Sequence, residues 1–235
     1  MTSGCHAYEW NSHRCSSSLF EGTDPDVDRI VRAALNKLAG QGITLVPLDF
    51  PASIDAALGI ANTLINYEMV LAVEAYLVKH GAPVNFDQMM EQSSSAMRRI
   101  VQRLALPPNR PSRSSYEEAI SRQAMLIEDL QKLFVAQRIT AIAFPPILIS
   151  PPKIGDNGPF SVGGKSVPMY VAMARNTSLA SCARMPSLVL PAGLTSNSLP
   201  VGIEFASISG RDSELIALAL SLEGMLGIGP APILQ

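Results

Sequence analysis

"MPSLVLPAGLTSNSLPVGIEF", residues 185–205, sets two short apolar runs on either side of a polar loop. "SLVL" (187–190) and "VGIEF" (201–205) have the length of strands, and the first is apolar enough for a strand buried on both faces. Pro191 and Gly193 are placed to stop the ladder and turn the chain. Gly202 removes a side chain where a neighbouring backbone can approach closely. Beyond them Ser209 or Asp212 can cap a last helix carrying Leu215, Leu218, Leu222 and Leu226.

Upstream, "GTDPDVDRIVRAALNKLAGQG" (22–42) reads as a helix. Thr23 or Asp24 caps it, Pro25 suits its first turn, and Asp26 and Asp28 complement the positive end of the dipole. Its stripe is Val27, Ile30, Val31, Ala34, Leu35 and Leu38, ended by Gly40 and Gly42. "ITLVPLD" (43–49) reads as a buried strand and "ITAIAF" (139–144) as another. Residues 54–79 form a long helical pattern with a break expected near Gly59 or Asn66, and 87–104 read as one further helix. Ser114 and Glu117 have capping-box spacing for a helix carrying Ile120, Ala124, Ile127, Leu130 and Phe134. Helices alternating with apolar strands predict an α/β protein of four strands and five helical segments.

Composition narrows the function. Hydrophobic residues make up 47% and charged residues 16%, which excludes a disordered chain. A net charge of −2 gives no reason to expect nucleic acid or an anionic membrane as partner. The most apolar long segment, Ile54 to Leu77, is interrupted by Asp55, Asn62, Asn66, Glu68 and Glu74, so no membrane span is expected. The three cysteines form no disulfide framework, and "MTSGCHAYEWNSHRCSSSLFEG" has no apolar signal core, so a cytoplasmic protein is expected. Residues 1–20 read as a disordered leader.

Candidate chemistry fails locally. Cys5, His6, His13 and Cys15 are zinc-type ligands without zinc-site spacing, so no metal site is expected. "PFSVGGKS" (159–166) lacks the first glycine of a phosphate loop and reads as a mobile glycine loop. Arg98, Arg99, Arg103, Arg110 and Arg113 lack interleaved aromatics and read as a solvated face. The triplets at 16–18 and 93–95 lack a base and exposed main-chain donors, and His80 sits at a helix end.

"YEEAISRQAMLIEDLQKLFVAQRITAIAFPPILISPPKIG" (116–155), followed by residues 185–223, resembles the carboxyl-terminal half of the amidase signature family. Pro186, Pro191, Gly193, Leu199, Pro200, Val201, Gly202 and Glu223 carry the likeness, while Ala183 stands where the family usually has glycine. Within the family the chain looks nearest to aryl- and arylalkyl-amide hydrolases, mandelamide hydrolases among them. The resemblance implies a mixed β-sheet flanked by α-helices, with residues 21–235 forming part of an amidase domain. It implies hydrolysis of a small aromatic or aliphatic carboxamide to acid and ammonia through an acyl-serine, with no metal or cofactor. The family's catalytic serine, cis-serine and lysine lie in its amino-terminal half, the two serines within a glycine- and serine-rich signature, and none of that sequence has a counterpart here. No catalytic residue carries over, because none of Lys37, Lys79, Lys132, Lys153 and Lys165 sits in a matching motif.

The expectation is therefore a chain truncated or frame-shifted at its amino terminus and inactive alone. It would retain one wall of the acyl pocket at Phe144, Pro145, Pro146 and Ile147, where the chain leaves a strand end, with Asn176 as a further candidate. Its expected partners are a missing amino-terminal half or a second copy of itself. The alternatives are a non-catalytic binding or assembly subunit, or an unrelated α/β enzyme reacting through Ser94, Ser95 or Cys182.

Overall fold

The computed structural model describes residues 18–156 and 158–227. Helix α1 (Pro25–Gly40) starts as expected: the Asp24 carboxylate accepts from the Asp26 N–H at 2.9 Å and the Val27 N–H at 3.4 Å. All six residues of its predicted stripe are buried. A 3₁₀ turn (Ala52–Ala56) leads into α2 (Ala57–Lys79), which runs unbroken through Gly59 and Asn66. The single helix expected over 87–104 is two, α3 (Phe86–Gln92) and α4 (Ser95–Leu104). The serine triplet is the reason. Ser93 Oγ donates to the Met89 carbonyl, and Ser94 Oγ accepts from the Met97 N–H and opens α4. Helix α5 (Arg113–Gln137) is capped by Ser112, two residues before the expected Ser114.

Strand β1 (Ile142–Phe144) follows, then the hairpin of β2 (Phe160–Val162) and β3 (Lys165–Val167). The presumed mobile loop is thus a hairpin. Gly163 and Gly164 have φ of 58° and 75°, as a two-residue turn of the primed type needs, and the Gly163 N–H donates to the Gly22 carbonyl at 3.1 Å. Short helices α6 (Met169–Ala174) and α7 (Thr177–Cys182) lead to β4 (Ser187–Leu194), β5 (Pro200–Ala206) and α8 (Asp212–Leu226). Neither Ser209 nor Asp212 caps α8; Asp212 is its first residue.

The main sheet has the order β1-β5-β4 and is antiparallel throughout. Its ladder does not stop at Pro191, which pairs with Gly202; a bulge at Ala192 lets pairing continue to Leu194 opposite Pro200. Pro191 is tolerated because β4 is an edge strand. Nor is the run at 188–190 covered on both faces: Leu190 is buried on the side of α1 and α8, whereas Val189, on the opposite face, is 53% exposed. One face of the sheet, with Leu190, Val201, Ile203 and Phe205, packs on α1 and α8. The other, with Ile142, Phe144 and Ala206, packs on α2, α5 and α7.

"ITLVPLD" forms no strand. Ile43 and Leu45 join the α1–α8 side of the core, whereas Leu48 and Phe50 join the α2–α5 side. The segment thus passes from one layer to the other beside the free edge of β1 without pairing to it.

By length and composition Ala52–Lys79 would suffice to cross a membrane, despite its interrupting polar residues, and only 17% of its most apolar window is buried. In this fold α2 is bound to α5: Tyr67 stacks on Tyr116 at 4.2 Å, and the Tyr116 hydroxyl donates to Glu68 at 2.5 Å.

Candidate functional site

Phe144 ends β1 and is wholly buried, as is Pro145; Pro146 and Ile147 are half-buried. Only the last two of the four predicted wall residues can therefore meet a ligand in this arrangement. Asn176 is wholly buried between α6 and α7. Its Nδ2 donates to the carbonyls of Leu19 and Pro145, both at 2.7 Å, and its Oδ1 accepts from Arg175 Nε at 3.2 Å. Arg175 Nη2 adds a bond to the Ser18 carbonyl at 3.1 Å. Asn176 is a positioning residue that ties the chain before α1 to the turn leaving β1.

Next to that turn lies a bare shelf on the sheet. Ser187, Val189 and Pro191 of β4 face outward and are exposed. A Cβ added to Gly202 would stand 2.5 Å from Val189 Cγ1 and 3.7 Å from Pro146 Cγ. The close neighbour expected for Gly202 is thus chiefly a side chain. Glu204, paired across β5 with both Phe144 and Val189, is 2% exposed, and its Oε2 has no hydrogen-bond partner. Burial raises its pKa, against a smaller opposing effect of a hydrogen bond from Ser187. Glu204 is not among the site residues expected from sequence, although an acid inside the apolar run "VGIEF" is itself a signal.

The predicted alternatives for chemistry fall to local roles. Cys182 is buried, its thiol pushed up by burial to about 11, which suppresses the reactive thiolate. Ser94 is a helix cap. Arg110 donates to the Tyr67 carbonyl at 2.7 Å with its guanidinium over the Tyr67 ring at 4.5 Å, and Arg113 pairs with Glu117. The five lysines are all exposed. Lys37 Nζ donates to the Leu226 carbonyl, and the Glu128 carboxylate raises the pKa of Lys132, opposite to what a lysine base needs. Among the described residues no three His, Cys, Asp or Glu side chains are grouped to hold a metal. Cys5, His6, His13 and Cys15 lie outside those residues. The arrangement can shape a cleft wall, and among the described residues no hydrogen bond joins a lysine amine to a serine.

The model of the Amidase family matches residues 16–216. The chain belongs to the Amidase family. It is 27% identical over 217 residues to an indoleacetamide hydrolase of Agrobacterium vitis, covering 91% of this chain and 46% of that protein. It is 29% identical over 225 residues to a mandelamide hydrolase of Pseudomonas putida, covering 91% and 43%. Among solved structures, a crystal structure of an amidase superposes with a TM-score of 0.71 at 21% identity, over 89% of this chain and 44% of the other. The α/β class and the amidase signature fold are shared with that structure. The chain spans less than half the length of these relatives.

Proposed function

We propose that this chain is the carboxyl-terminal part of a carboxamide hydrolase, supplying the shelf around Pro146, Ile147, Val189 and Gly202 and none of the bond-breaking groups. The observation that carries this reading is the placement of all five lysines on the surface. A lysine that serves as base must be held neutral, which takes burial or nearby positive charge. In the complete hydrolase a small amide, aromatic in keeping with the names of the relatives above, would be cleaved to acid and ammonia through an acyl-serine without metal or cofactor. We read the protein as cytoplasmic, in keeping with its few cysteines. The test is ammonia release from mandelamide and indoleacetamide by the purified 235-residue chain. No release above the protein-free rate is expected; turnover lost on treatment with a serine-directed fluorophosphonate contradicts the reading.

A second reading, a non-catalytic assembly subunit, is favoured by the bare side of α2, where Ile65, Leu71, Tyr76 and Val78 are 50–83% exposed. Size-exclusion chromatography separates the two: a defined oligomer supports the subunit, and aggregation supports an incomplete hydrolase.

A further inference from the structure

The arginine run at 98–113 takes a definite shape once the chain breaks at Ser93 and Ser94. Helices α3 and α4 pack with the carboxyl-terminal half of α2 around a small core of their own, Val70, Phe86, Val101 and Ala105. It is separate from the two cores on the faces of the sheet. Arg98 Nη1 donates to the carbonyls of Glu91 and Ser93 and so ties α4 back to the end of α3.

Val101 and Ala105 turn one side of α4 inward. Beside them Met97, Ile100 and Leu104 fall on one stripe at helical spacing and are 49, 47 and 38% exposed. Arg99 and Arg103 lie about one turn apart, each just before a stripe residue, and line its far flank. Neither guanidinium has a hydrogen bond or ion pair among the described residues. Arg110 and Arg113, by contrast, are committed to Tyr67 and Glu117. α4 itself carries no acidic residue, and the nearest along the chain are Glu91 and Glu117.

We infer that α4 seats this protein on an anionic lipid bilayer, lying in the headgroup plane with Met97, Ile100 and Leu104 turned to the acyl boundary. Arg99 and Arg103 then extend sideways to lipid phosphates. A protein partner fits less well. Three half-exposed side chains on a ten-residue helix fall short of the surface that a stable protein interface buries. A soluble polyanion would use the arginines and leave the stripe in water. A bilayer uses both, and asks for no more than a shallow apolar strip beside cations. The whole-chain charge of −2 is no obstacle, because salt screens exposed charges more than about 10 Å away.

The test co-sediments the purified full chain with vesicles of phosphatidylcholine alone and of three parts phosphatidylcholine to one part phosphatidylglycerol. Binding at least tenfold tighter to the anionic vesicles is expected, with amides of residues 95–104 exchanging at least fivefold more slowly on them. Replacing Arg99 and Arg103 together by Gln should remove the preference for anionic vesicles. Ile100→Gln should weaken binding at least fivefold, and Val78→Ser, on the exposed side of α2, should leave it unchanged. All four positions are exposed, so urea unfolding of each variant should match the parent. Equal binding to both vesicles, or unslowed exchange at 95–104 in the parent chain, overturns the inference whatever the variants do. Full binding by Ile100→Gln overturns it too, since charge alone would then suffice and a soluble polyanion would serve as well. Loss on Val78→Ser moves the contact to α2 and is equally fatal.

Discussion

Glu204 is a carboxyl group on the same face of the sheet as Phe144, with one oxygen unpartnered and almost no solvent. Burial raises its folded-state pKa above the ordinary value of 4.5, so the folded chain holds this proton more tightly than the unfolded chain. Its contribution to stability is complete below that ordinary value and is lost as pH rises through the folded value. Thermal melts between pH 4 and 8 should therefore show stability falling as this group ionises, and Glu204→Gln should remove that part of the slope. An unchanged slope would mean that the carboxyl is already solvated. Asn176 belongs to the same scale. Asn176→Ala leaves two buried carbonyls without donors, at a cost of about 2–4 kcal/mol in urea unfolding. Sequence could mark Asn176, through the family resemblance, but not its role. Its partners lie 31 and 157 residues away, and nothing local encodes such a contact.

At the scale of elements, local chemistry was legible wherever it is self-contained. The stripe and cap of α1 were readable because 16 consecutive residues carry both signals. The hairpin at Gly163-Gly164 is equally local, but a glycine pair followed by lysine and serine fits a mobile loop as well as it fits a primed turn. "ITLVPLD" differs: an apolar run favours burial, whereas a strand also needs a partner, and this segment joins no sheet among the described residues. The edge status of β4 was illegible too, since order in a sheet is decided by other strands. The contact of Gly202 with Val189 gives a test of the β4–β5 pairing. Gly202→Ala should destabilise the chain by about 1–3 kcal/mol through overpacking against Val189 Cγ1. Val189→Ala in the same chain should recover most of that loss, a coupling read from a double-mutant cycle.

Across the whole molecule, two features agree. The structure leaves β1 with one edge unpaired, and the chain spans less than half of its relatives' length. Both follow if the fold is one side of a larger layered body whose opposing side holds the reactive groups. The family and the α/β class were legible in the terminal strand pair, because prolines and glycines at fixed places are recorded in sequence whether or not the partner side is present. The most direct measurement is intact-mass analysis after excess fluorophosphonate is added to the purified chain. The account predicts no adduct on any serine. A stoichiometric adduct on a single serine, abolished by replacing one of the five lysines with methionine, would contradict it.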